Sequence, residues 1–134
     1  MAMLVSQLMS NDVLSIRPDA PLQQAAAEMR LGRVRHLPVV DGRGKLVGVI
    51  AHIDVEKTLL HGKGLTVADA MATEVITVRE DVLAADAARL LLSRKVGSLP
   101  VVDGKGRLVG LVTEADFVRL SEQALRGKPL VRVR

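Results

Sequence analysis

The chain contains no cysteine and a single aromatic residue, Phe117. The first absence excludes disulfides, thiolate metal ligands and thiol nucleophiles. The second removes the row of aromatics on which single-strand nucleic-acid binders stack bases. No stretch of about 18 residues is apolar and free of charge, which excludes a membrane-spanning helix. The opening MAMLVSQLMSND has neither a basic n-region nor a long apolar core, so no signal peptide is expected. A cytoplasmic location with no membrane partner follows as the expectation.

Acids are missing from the last nine residues, RGKPLVRVR, which hold Arg126, Lys128, Arg132 and Arg134. Taking those four from the 19 Lys and Arg leaves 15, equal to the 15 Asp and Glu. The net charge of +4 therefore belongs to the tail 126–134 and not to a basic face. A nucleic-acid-binding dimer using this tail is the weakest of three functional readings. His36, His52 and His61 lack metal-ligand spacing, no serine lies in a nucleophile elbow, and there is no P-loop. Neither an enzyme nor a required cofactor is expected.

What the sequence does have is a repeat. Shifted by 62 positions, Val5 falls on Val67, Met9 on Met71, Val13 on Val75, Val34 on Val96 and Asp54 on Asp116. The phrase LPVVDGRGKLVG (37–48) returns as LPVVDGKGRLVG (99–110). Self-similarity at a fixed spacing means two copies of one supersecondary unit. A unit of about 60 residues buries too little surface alone, and two copies packed together relieve that. The expected divisions are 1–60, a linker at 61–66 (HGKGLT), 67–125, and the tail 126–134.

Each copy reads in the same order. A helical turn (VSQLM, VADAM) precedes a short strand at 13–16 and 75–78. A helix follows, with Asp19 and Asp81 placed to cap it and Pro21 in its first turn. Leu22, Ala25, Ala26 and Met29, and Ala84, Ala87, Ala88 and Leu91, form its apolar stripe. LPVV and its return strand make a hairpin about D-G-x-G. Gly48 and Gly110, late in the return strand, mark a close backbone approach. A second helix at about 52–60 and 114–125 closes each copy.

The order, the LPVVD-G-x-G-x-LVG phrase and the ending GLVTEAD resemble the cystathionine-β-synthase (CBS) domain. Two in tandem are similar to a CBS pair, or Bateman module, over about residues 3–122, here expected to stand alone. The resemblance implies an α/β fold of the α+β type: two pseudo-twofold-related β-α-β-β-α repeats packed sheet to sheet. It implies a sensor that binds an adenosine-containing ligand between the repeats. AMP, ADP and ATP come first, with S-adenosylmethionine or NAD as alternatives. It also implies a homodimer and an effector protein that reads the signal. The competing reading is a ligand-free dimerisation or protein-interaction module.

Thr113, where strand gives way to helix, suits a phosphate at a helix N-terminus. Asp116 suits a ribose diol. T-x-x-D is equally a helix-capping pattern that needs no ligand. In the first copy Ala51 replaces the threonine while Asp54 remains, which leaves that site a ribose contact without a side-chain phosphate contact. By the resemblance, Arg35 and His36 meet phosphate, where the second copy has Gly97 and Ser98. Leu14 with Val34, and Ile76 with Val96, would sandwich adenine. The first pair is expected to face Thr113 and Asp116, the second Asp54.

Overall fold

A computed structural model describes residues 2–127 of the chain; the remainder of the basic tail lies outside the described residues. The elements run α1 (Val5–Leu8), α2 (Leu22–Gly32), β1 (His36–Val40), β2 (Leu46–Ala51) and α3 (His52–Leu59). After a 3-10 turn (Val67–Asp69) come α4 (Ala84–Arg94), β3 (Ser98–Val102), β4 (Leu108–Thr113) and α5 (Glu114–Gly127). Mixed helix and strand with two small antiparallel sheets is the architecture the repeat implied.

Each sheet is a hairpin. β1 pairs with β2 from His36↔Ala51 to Val39↔Gly48, and β3 pairs with β4 from Ser98↔Thr113 to Val101↔Gly110. The second glycine of each D-G-x-G, Gly44 and Gly106, takes the positive φ of 80° that the turn requires. The aspartate holds the turn. Asp41 Oδ1 accepts from the backbone of Arg43 and Lys45, and Asp103 Oδ1 from that of Lys105 and Arg107. Those donors keep both carboxyls ionised below the ordinary value. The hairpin tips join reciprocally: Leu46 N–H donates to Gly106 O at 3.0 Å, and Leu108 N–H to Gly44 O at 2.9 Å. Reciprocity of this kind is the mark of a twofold axis.

The helix stripes face inward as expected, with Leu22, Ala25 and Met29 buried in α2 and Ala84, Ala87 and Leu91 in α4. Each hairpin backs onto its own cluster, around Leu37, Val39 and Ile50 in one and Leu99, Val101 and Val112 in the other. The lead-in segments are exchanged. Val5 belongs to the second cluster and Val67 to the first. Val5 N–H donates to Val82 O, and Val67 N–H to Ala20 O. The opening turn of each repeat thus completes the core of the other.

The structure departs from the sequence reading in two places, the first because of this exchange. Asp19 and Asp81 do not cap the helices, whose N-caps are Pro21 and Leu83 with no side-chain bond. The first helical N–H groups instead find backbone carbonyls of the exchanged segments, Leu22 N–H to Leu65 O and Ala84 N–H to Met3 O. The strands expected at 13–16 and 75–78 shrink to single parallel bridges, Ile16 to Val39 and Val78 to Val101. Gly48 and Gly110 do meet a close neighbour. A Cβ on Gly48 would stand 2.7 Å from Ala72 O, and one on Gly110 2.5 Å from Met9 Sδ. No helix among the described residues is long and apolar enough to cross a membrane.

Candidate functional site: two clefts between the sheets

Because the repeats meet through their hairpins, the space between the sheets is open at two symmetry-related places. The first cleft, of about 380 Å³, lies at the start of α5. Pro38 and Val49 of one sheet and Pro100 and Leu111 of the other give it apolar walls. Val34, Arg35 and His36 enter it from the first repeat, and Thr113 and Glu114 from the second. β1 and β4 therefore bring a guanidinium, an imidazole and a helix-terminal hydroxyl into one apolar recess. Apolar walls with a few convergent polar groups are the usual makeup of a small-molecule site.

Two expected members of this group stand apart. Asp116 does not line the cleft. Its Oδ2 accepts from Thr113 N–H at 2.8 Å and Thr113 Oγ1 at 3.3 Å, and its Oδ1 accepts from Arg119 Nη2 at 2.6 Å. Asp116 thus supplies the carboxylate half of a capping box, and an ion pair with Arg119 holds it. Leu14 is exposed and lies beside Gly32, next to Val34, outside the lining.

The second cleft, of about 320 Å³, lies at the start of α3. It gathers Asp54 with Ile76 and Val96, the grouping drawn from the sequence, and adds Glu74 and Lys95. Ala51 caps nothing, and Asp54 makes no side-chain hydrogen bond or ion pair among the described residues. His36, Val49, Gly97, Ser98 and Pro100 line both clefts, so the two spaces adjoin along the sheet interface.

Sequence reasoning missed Ser98, Glu114, Glu74 and Lys95. Lys95 ends α4 with φ 54°, as Arg33 ends α2 with φ 55°, in a left-handed conformation that glycine ordinarily fills. The 62-residue shift was the available signal, because it pairs Ser98 with His36 and Glu114 with His52. It also exposes an ambiguity. Thr66 and Asp69 make the same capping box, at 2.7 and 3.1 Å, and line neither cleft. No group of three or more His, Cys, Asp or Glu among the described residues is placed to hold a metal ion.

Two pseudo-equivalent α+β units enclosing paired ligand-sized clefts define a tandem binding module. The CBS domain family model matches residues 5–61 and 67–123, and the chain belongs to the CBS domain family. A CBS domain-containing protein of Dictyostelium discoideum is 33% identical over 146 residues, covering 96% of this chain and 98% of its own length. The chain is 35% identical over 124 residues to the inosine-5'-monophosphate dehydrogenase of Methanocaldococcus jannaschii, and spans 25% of that enzyme. Among solved structures, a CBS domain pair in complex with 5'-methylthioadenosine and S-adenosyl-L-methionine superposes with a TM-score of 0.83. It is 32% identical and covers 92% of this chain and 99% of the other. CBSX2 of Arabidopsis thaliana in complex with AMP gives 0.82 at 31% identity, covering 91% and 98%.

Proposed function

We propose that the chain is a regulatory module that binds an adenosine-containing ligand between its two repeats, with AMP, ADP or ATP favoured. One observation carries this: Arg35 and His36 from one repeat converge with Thr113 from the other on a single apolar cleft. Arginine and a helix N-terminus both suit phosphate, and aliphatic walls suit a purine. The related pairs that hold AMP, or 5'-methylthioadenosine with S-adenosyl-L-methionine, support the ligand class. In the second cleft Asp54, free of a capping partner, is the ribose acceptor between Ile76 and Val96. In the first, Asp116 has only its remaining lone pairs to offer a ribose, and Leu14 lines the cleft only by turning inward.

The module regulates and does not catalyse. Ligand changes the relative stability of two arrangements of the repeats, by its difference in affinity for them. A second copy of the chain and an effector protein read that change, in a cytoplasmic energy sensor. The second reading, a ligand-free interaction module, draws on Asp116, whose carboxylate is already satisfied by Thr113 and Arg119.

Thermal unfolding with AMP, ADP, ATP, S-adenosylmethionine, NAD and GTP separates the two. A ligand at about 100 times its dissociation constant adds about 2.7 kcal/mol, a rise of several degrees. The expected result is a rise with one or more adenosine compounds and none with GTP. No rise with any of them removes the proposal in favour of the interaction module. The same scan at two protein concentrations reads self-association, because dimer unfolding depends on concentration.

A further inference from the structure

A third recess, of about 250 Å³, lies between α2 and α3 and shares Val34 and Arg35 with the first cleft. Beyond Arg35 it is lined by His52, Arg30 and Glu56 over an apolar floor. His52 Nε2 lies 3.4 Å from Glu56 Oε1. Neither Arg30 nor Arg35 has an ion-pair partner among the described residues. Basic groups therefore continue from the first cleft into a shallow, solvent-open recess.

The second repeat has a matching recess between α4 and α5, lined by six of the eight residues 62 positions on. There Leu92 stands for Arg30, Glu114 for His52 and Val118 for Glu56, while Gly97, the counterpart of Arg35, lies outside the lining. Every basic group has gone, and the only charge left is a carboxylate. The backbone is repeated and the chemistry is not, so the basic lining is no by-product of the fold.

We infer that the recess between α2 and α3 is a polyphosphate extension of the first cleft. It takes the outer phosphates of an adenosine di- or triphosphate whose nucleoside lies between the sheets, and so rests on the function proposed above. Arg35 stands at the boundary, where its planar fork can hold a phosphate oxygen pair from either side. Arg30 and His52 stand further out and meet only phosphates beyond the first. Glu56 opposes them, and one carboxylate against two arginines leaves the recess attractive to anions. Arg30 is thus a specificity residue for phosphate number, outside the part of the cleft that receives the nucleoside. The second cleft has no such outlet.

The test is a calorimetric titration of the full chain and of Arg30→Leu, which installs the second repeat's residue. The probes are AMP, ADP, ATP and inorganic tripolyphosphate. Arg30 is exposed, and an unchanged unfolding midpoint verifies that the variant folds. The expected result is about fivefold weaker ATP binding, a smaller loss for ADP, no change for AMP, and tripolyphosphate following ATP. Nucleotide binding that ignores Arg30, or falls equally for AMP and ATP, overturns the inference alone. Arg30-dependent tripolyphosphate binding without nucleotide binding keeps the recess and removes the nucleotide reading of the cleft. No binding by any of the four overturns both.

Discussion

The two clefts share a scaffold and differ in how it is finished. At the start of α5 Thr113 is tied to Asp116 through its backbone N–H and hydroxyl, and the opposing repeat supplies Arg35 and His36. At the start of α3 the cap is Ala51, and the opposing residues are Gly97 and Ser98. Asp116 is engaged by its own helix, whereas Asp54 is not. One cleft thus gathers a guanidinium, an imidazole and a hydroxyl, with its carboxylate bonded to Thr113 and Arg119. The other has an unengaged carboxylate, Asp54, together with Lys95 and the shared His36. Pseudo-symmetry fixes where a site lies, and side chains at a few paired positions decide what it holds.

The largest effect that distinguishes the repeats is expected from their strand glycines. Gly48→Ala would drive a Cβ against Ala72 O, a backbone atom already accepting from Val49 N–H at 3.0 Å. Gly110→Ala meets first the thioether of Met9, a flexible side chain, with Ser10 O further off at 3.1 Å. Backbone cannot yield as a methionine can, so Gly48→Ala is expected to cost about 3 kcal/mol and Gly110→Ala about 1 kcal/mol. Chemical denaturation measures both. Equal losses would mean that the exchanged segments move as easily on either side.

Those glycines also show what could be read in advance. The repeat, both hairpins and the helix stripes were legible, because pattern and turn chemistry act within a few residues of each other. The close approach at Gly48 and Gly110 was legible too, but not what approaches. That neighbour comes from the other repeat, and Met71 and Met9 carry no local sign of their destination. The same long-range exchange misled the capping assignment. Asp19 and Asp81 have suitable side chains, yet Leu65 O and Met3 O reach the helix starts first. At the site, the grouping of Asp54 with Ile76 and Val96 followed from the family resemblance carried across the two repeats, not from the repeat itself. The retraction of Asp116 was not legible, because T-x-x-D reads identically whether the aspartate faces a ligand or its own threonine.

A middle-sized effect follows from the caps. Thr113→Ala removes the hydroxyl that donates to Asp116 at the start of α5 and is expected to cost about 1 kcal/mol of stability. Ala51→Thr gives Asp54 the partner it lacks and is expected to return up to about 1 kcal/mol. If Thr113 also contacts phosphate, its loss weakens nucleotide binding by about 1–3 kcal/mol, beyond the change in folding. Affinity that survives Thr113→Ala while stability falls would confine the residue to capping. Ala51→Thr would then leave the two clefts alike in stability and still different in ligand.

The smallest contrast lies at the hairpin tips, outside the lining of both clefts. Asp103 and Asp41 make the same turn, but Asp103 also accepts from Arg107 Nε at 2.9 Å. The Arg107 backbone N–H is the main cause of its lowered carboxyl pKa, as the Arg43 N–H is for Asp41. A carboxyl held below its unfolded value of 3.8 stabilises the fold above that pH and loses its contribution as pH falls through the folded value. Asp103→Ala should therefore lower the unfolding midpoint more than Asp41→Ala at neutral pH. Both differences from wild type should close as pH falls below 3.8. Added salt should shrink the extra effect at Asp103, because the Arg107 pair is half exposed and readily screened. A gap that persists in acid would assign the turn's stability to geometry at Gly44 and Gly106 and not to the charge of the aspartates.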